Sequence, residues 1–285
     1  CGEMEVIGKR MVAGVLTASL AFAGCGPIDD GDGGDNGNGG GNGTQAGSVP
    51  DPDDCAGFET LEGEITEPRT LSSDDCFDVV GELKVKEGGH LTIEPGTVLR
   101  FEENGGLAVW GEGKLTAVGE AANGILMTGV ATTRVYSKGV SYHGTNSTDT
   151  KLEYLTIEAA GGESHYRVGS AALAIDGRTG PVRVAVNHTA LRDGGSVGLW
   201  AGGHAENVTI DAFENNVLTG NAKGAARVRP NEAGELSETS TYTGNDTDVV
   251  LVEAGQAVHE SQTWPSIDVP YRIEKGFKVN DGATL

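Results

Sequence analysis

The chain has 285 residues, 46 of them glycine, only 5% aromatic, and a formal net charge of −22. That acidity excludes the basic footprint that nucleic-acid phosphates need, and it excludes electrostatic docking onto anionic lipid. Abundant glycine with few aromatics fits a fold of many corners around a narrow aliphatic core, and the length suits one solenoid of about ten coils with a tail.

The N-terminal stretch reads as an export signal over residues 1–24. Lys9 and Arg10 precede an apolar run, Met11 to Ala23, that is too short to span a bilayer comfortably. Met4 is the expected start, with Cys1, Gly2 and Glu3 lying ahead of it. Phe22-Ala23-Gly24-Cys25 resembles a bacterial lipoprotein box, although Phe22 stands where Leu, Val or Ile is usual. The resemblance implies cleavage before Cys25, diacylation of its thiol and a membrane anchor. An ordinary secretory signal cut near Ala23 is the alternative.

Residues 25–60 are expected as a lipidated linker. Gly26 to Pro52 consists largely of Gly, Asp and Asn and has no apolar surface to bury, so a disordered tether is expected. Asp30, Asp32 and Asp35 partly match an EF-hand calcium loop. The third acid falls one place late and the twelfth position is Gly41, so no metal and no other cofactor is expected. Cys55 and Cys76 bracket the approach to the folded body. A disulfide between them would close a loop of about twenty residues and stabilise it by about 3 kcal/mol; two free thiols are the alternative, less suited to an exported chain.

The stretch Gly81 to Val118 carries the folding signal. Leu83, Leu91, Leu99, Leu107 and Leu115 recur at a constant step, each followed two residues on by a partner for the same face: Val85, Ile93, Phe101, Val109 and Ala117. Each pair reads as a short strand with one buried face. Turn formers separate them, as in Glu87-Gly88-Gly89, Glu94-Pro95-Gly96 and Gly111-Glu112-Gly113. Three such strands per turn give a coil of about 24 residues, inside the range of solenoid repeats. The spacing therefore predicts an all-β fold, a right-handed parallel β-helix with three short strands per coil. A two-sheet sandwich is the alternative. Stacking places Leu91-Thr92-Ile93 under Leu115-Thr116-Ala117, and Leu99-Arg100-Phe101 near Ile125-Leu126-Met127.

Three longer coils follow. Their first strands are Tyr154 to Ile157, Thr189 to Leu191 and Asn216 to Leu218; their second strands are Ala171 to Ile175, Ser196 to Trp200 and Ala225 to Arg229. Glu158 then aligns with Arg192 and Thr219, and Asp176 with Ala201 and Pro230. Asn187, Asn207, Asn216 and Asn221 fall near bends, where asparagine can adopt the left-handed conformation and bond its neighbours. The β-helix is expected over residues 61–260. Phe277 to Gly282 repeats the pattern of Leu83 to Gly88, so residues 261–285 are expected to begin a second repeat module or an unfinished coil.

LTIEPGTVLRF, LTAVGEAANGILMTG and TWPSIDVPYRI together resemble right-handed parallel β-helix lipoproteins of Gram-negative bacteria, within the broad pectate-lyase-like fold group. The resemblance covers about Val80 to Leu285 and implies fold more than activity. It implies an exported protein anchored to the cell envelope, at the outer membrane, facing periplasm or cell surface. Its partners would be the membrane through a lipid anchor and a surface glycan or protein, not nucleic acid.

The same group includes lyases and glycosidases acting on acidic polysaccharides. No aligned column repeats a carboxylate, and the polygalacturonase patterns are absent as a set. Arg227-Val228-Arg229-Pro230 resembles a lyase arginine strand without the rest of its pattern. The six histidines, His90, His143, His165, His188, His204 and His259, show no metal-ligand spacing. Trp110, Trp200 and Trp264 stack on sugars if they face outward and otherwise pack. No catalytic residue is assigned. A non-catalytic binding, adhesion or spacing module is expected, with a polysaccharide lyase or glycoside hydrolase as the alternative.

Overall fold

The computed structural model describes residues 48–73, 75–162, 170–203, 207–253 and 257–285. The signal peptide, Cys25, the Asp30/Asp32/Asp35 run, His165 and His204 lie outside the described residues. A short 3-10 helix, Pro52–Asp54, opens the described chain. The first coil contains β1 (Phe58–Ile65) and β2 (Arg69–Leu71), and the second β3 (Cys76–Val85) and β4 (His90–Ile93). Three strands per coil follow: β5 (Val98–Phe101), β6 (Gly106–Trp110) and β7 (Lys114–Val118), then β8 (Ile125–Gly129), β9 (Gly139–His143) and β10 (Asn146–Glu153). Next come β11 (Leu155–Glu158), β12 (Ala171–Gly177) and β13 (Val182–Asn187), then β14 (Ala190–Arg192), β15 (Val197–Gly203) and β16 (Val208–Ala212). The coil of β17 (Val217–Thr219) and β18 (Gly224–Val228) has a 3-10 helix, Glu232–Glu235, where its third strand would stand. β19 (Val250–Val252), β20 (Ala257–Val258), β21 (Tyr271–Ile273) and β22 (Lys278–Val279) follow.

Every pairing between these strands is parallel, and each joins a strand to its counterpart in the next coil. This is a parallel β-helix with three faces. One face runs from the start of β3 through β5, β8, β11 and β14 to β17. The second runs from the end of β3 through β6, β9, β12, β15, β18 and β19 to β21. The third runs from β2 through β4, β7, β10 and β13 to β16, and resumes as the separate pair β20–β22. Successive leucines of the constant-step series therefore visit the three faces in rotation. Leu83 stacks on Leu107 and Leu91 on Leu115, and all five leucines are buried. Phe77, Leu99, Met127, Ile157, Leu191 and Leu218 form one continuous inward column.

The stacking of Leu91-Thr92-Ile93 on Leu115-Thr116-Ala117 is as expected, and so is that of Glu158 on Arg192 and Thr219. Leu99-Arg100-Phe101 lies beside the Ile125-Leu126-Met127 strand as expected, with Leu99 opposite Met127. One register differs. Asp176 pairs with Gly202 rather than Ala201, since Val197, not Ser196, stands opposite Ala171, and Gly224 opposite Val197. Ordered structure precedes Leu61: β1 starts at Phe58, and Ser48 exchanges backbone hydrogen bonds with Ala121 and Gly124. Cys55 and Cys76 are joined by a disulfide that ties this approach to β3. At the far end, β21 pairs with β19 and β22 with β20, so residues 271–279 continue the same stack.

Corners are set by glycine and asparagine in different ways. A Cβ on Gly89 would overlap the Ile65 carbonyl, and one on Gly113 the Val85 carbonyl, so two stacked corners need glycine for close backbone approach. The asparagines act through their side chains. Asn104 and Asn215 have positive φ, whereas Asn216 and Asn221 do not. The Asn221 amide accepts from Gly194 N at 3.1 Å and donates to Leu191 O at 2.9 Å, and Asn216 makes the same pair of bonds to Thr189 N and Val186 O at 2.9 Å each. Both are wholly buried. Asn221→Ala strands a buried donor and a buried acceptor, so it is expected to lower stability by about 1–3 kcal/mol, read as a fall in the urea unfolding midpoint.

Candidate functional sites on the outer faces

Outward residues of each face also form columns, because parallel strands repeat their register. On the first face the column runs Asp78, Arg100, Thr128, Glu158, Arg192. Arg100 donates both Nε and Nη2 to Asp78, at 2.8 and 2.9 Å, with its guanidinium over the Phe58 ring. Glu158 accepts from Thr128 and from Arg192. These carboxylates are thus engaged by neighbours one coil away.

The second face holds a constellation that sequence reading missed. Ser141 and His143 are two apart on β9 and share its outer side; Asp176 sits beside His143 in the next coil. Ser141 Oγ lies 3.0 Å from His143 Nε2, and His143 Nδ1 lies 3.3 Å from Asp176 Oδ2. A ring proton on Nδ1 satisfies both contacts, giving the order hydroxyl, imidazole, carboxylate of acyl-transfer enzymes. The signal available in the sequence was the S-x-H spacing of a strand face, with an acid one coil later. Accessibility decides against that chemistry in this arrangement. Ser141 is 0% and His143 1% exposed, and the Trp110 ring stacks on the imidazole at 4.0 Å between centroids. No acyl carbonyl can approach Oγ. Asp176 also receives Arg178 Nε at 2.8 Å and Nη2 at 3.0 Å. Burial alone would raise its titration; the bonds from His143 and Arg178 overcome that and hold it well below the usual aspartate range.

The column continues past Gly202 to Arg229, Glu253 and Glu274. Glu253 accepts from Trp200 Nε1 at 3.1 Å and pairs with Arg227 at 2.8 Å, while Arg227 also reaches Glu274. Trp110 and Trp200 are packing residues of the outer face, and Trp264 packs against Tyr271 and Phe277. His90 bonds Thr116, His188 stacks on Tyr154 and His259 bonds Asn280. Among the described residues no three His, Cys, Asp or Glu side chains converge to hold a metal ion.

On the third face the regular column ends after β16. The 3-10 helix Glu232–Glu235 fills the place of a strand and leaves a cleft of about 460 Å³ between β16 and the segment after β20. Its walls include Thr209, Asn231, Glu232, Glu235, His259 and Glu260. Asn231 fixes the far wall, accepting from His259 N at 3.3 Å and donating to Ala257 O at 3.2 Å. Glu232 is 2% exposed, and its Oε2 has no hydrogen-bond partner. Glu235 Oε2 accepts from Ile210 N at 3.3 Å. Burial pushes the Glu232 carboxyl up to about 7, with its own backbone N–H and Arg229 opposing. Burial, reinforced by the Glu232 charge, pushes Glu235 up to about 8. A second, larger cleft, about 690 Å³, lies beside the Cys55–Cys76 bridge and is lined by Asp51, Asp54 and Glu59 among others.

These features define the chain as a parallel β-helix whose first and second faces carry outward polar columns bonded in register, beside a separate apolar cluster of Ala171, Ala174, Val197, Trp200, Val249 and Leu251 on the second. No family model, no curated protein and no solved structure matches the chain.

Proposed function

We propose that this is an envelope-anchored lipoprotein whose β-helix serves as a rigid, non-catalytic binding or spacing module. The observation that carries the reading is the engagement of acids on the first and second faces: Asp78 and Glu158 by arginines one coil away, and Asp176 by His143 and by Arg178 two residues on, while the Ser141 hydroxyl is sealed from solvent. A scaffold that presents fixed side chains at a fixed spacing suits recognition of an extended surface glycan or protein. The anchor rests on the Phe22-Ala23-Gly24-Cys25 run, and the likeness to pectate-lyase-like lipoproteins rests on the strand pattern.

The polysaccharide-degrading reading draws on one observation, the glutamates of the third-face cleft. A glycosidase needs one carboxyl protonated and its partner ionised. Glu232 and Glu235 are displaced in the same direction, toward the protonated form, which does not separate those roles.

The test pairs fractionation with a glycan screen. In a Gram-negative host the protein is expected to partition with membranes and incorporate labelled fatty acid, and Cys25→Ser to release it into the soluble fraction. On acidic-glycan arrays the chain is expected to bind without generating unsaturated uronate absorbance. A soluble wild-type protein would remove the anchor, and rising absorbance would replace the binding module with a lyase.

A further inference from the structure

We infer that the third-face cleft is a binding site for a primary ammonium group carried on a small molecule. The inference deepens the binding reading by naming a ligand class, and it rests on that reading only for biological context.

Three observations point to this chemistry. First, the cleft is a built feature: the Glu232–Glu235 helix occupies a strand position, and its opposite wall is pinned by Asn231, by Gln262 Nε2 donating to Pro230 O at 2.8 Å, and by Ser261 Oγ accepting from Thr284 N at 3.0 Å. Second, Glu232 Oε2 is a buried acceptor that nothing in the protein satisfies, a position that costs stability unless a donor fills it. Third, the charges around it are unbalanced. Glu232, Glu235 and Glu260 line the cleft, and Asp211 stands close enough to raise Glu235. Of the nearby cations, Arg183 pairs with Asp211 at 2.6 Å and Arg227 with Glu253 at 2.8 Å, while Arg229, 3.8 Å from Glu253, acts on Glu232 through space without hydrogen-bonding it. His259 is held by Asn280 at the rim.

The missing partner is therefore a cation with several N–H donors. The described side chains do not converge as a metal-ion cluster would, whereas an ammonium group satisfies carboxylates one hydrogen bond at a time. Its arrival compensates the buried charge, so binding must release protons from the glutamates. Affinity then rises by about tenfold per pH unit for each proton released, and flattens once the carboxyls are ionised.

Calorimetric titration of the full chain tests this at physiological salt, which screens loose attraction to the acidic surface. The probes are spermidine, a glucosamine oligomer and its N-acetylated form. Expected are one site per chain, heats that depend on buffer ionisation and, for spermidine, whose alkylamines keep their protons over this range as a lysine does, tighter binding at pH 8.5 than at pH 6. E232Q and E235Q keep the shape of the protonated carboxyls and are expected to weaken binding at least tenfold, with E59Q unchanged. Saturation by glucosamine alone assigns the carrier to an amino sugar, and by spermidine alone to a polyamine. Equal binding of the N-acetylated oligomer, absence of proton release from the wild type, or undiminished binding by both glutamine variants overturns the site. Cleavage of the oligomer would leave the ammonium site standing and sink the non-catalytic reading.

Discussion

Asp176→Ala is expected to destabilise the β-helix by about 3–5 kcal/mol, because removing one partner of a buried ion pair leaves the other uncompensated. Its side chain is 2% exposed and accepts from His143 on one side and from Arg178 on the other. The Arg178 side chain is 33% exposed and can turn to water, which puts the loss toward the lower bound. His143 cannot turn away, being closed in by Trp110 and Ser141. Asp176→Asn keeps an acceptor and is expected to lose about half as much. Chemical denaturation at pH 7 reads the difference. The carboxyl's depressed titration also sets a sign: its contribution is complete above the ordinary aspartate range and is lost as pH falls. A fully stable D176A protein would mean that the column is ornament rather than support.

The second large effect has the opposite sign. Glu232 and Glu235 titrate near 4.5 in an unfolded chain and at about 7 and about 8 in the fold. The folded state therefore holds protons that the unfolded state has already released, and stability falls as pH rises from about 4.5 to about 8. At about 1.4 kcal/mol per pH unit for each group, softened by water entering the cleft, the loss is expected to be about 3–6 kcal/mol. Thermal melting between pH 5 and pH 9 should show the midpoint falling, and the double variant E232Q/E235Q should flatten the curve and melt higher at pH 9. A wild-type midpoint that stays level across this range would show that the carboxyls are not buried as described. Asp176 and the two glutamates thus squeeze the stability optimum from both sides toward mildly acidic pH.

The architecture was legible because it depends on a short-range rule. Leu83 to Leu115 repeat at a fixed interval, and each inward pair fixes the face of its strand, so the three-sided coil follows from periodicity. The polar columns were only partly legible. Glu158 over Arg192 could be read because β11 and β14 follow corners of similar length. Asp176 was misplaced by one because a single extra corner residue shifts everything beyond it. The Ser141–His143–Asp176 contact lies across a different pairing, β9 with β12, whose long intervening loop left no repeat to align. The cleft was not legible at all: Glu232–Glu235 carries no periodic signal, and its burial depends on the coils above and below.

The break in the third face has a mechanical corollary. Below the Glu232–Glu235 turn its coil is laced along two faces, β14–β17 and β15–β18, and above it along the β18–β19 ladder with a single bridge between Val217 and Thr241. Tension drawn along the long axis is expected to concentrate at that seam, where fewer backbone ladders share it. Under load the stack is expected to open first at this seam, ahead of the fully laced coils below it.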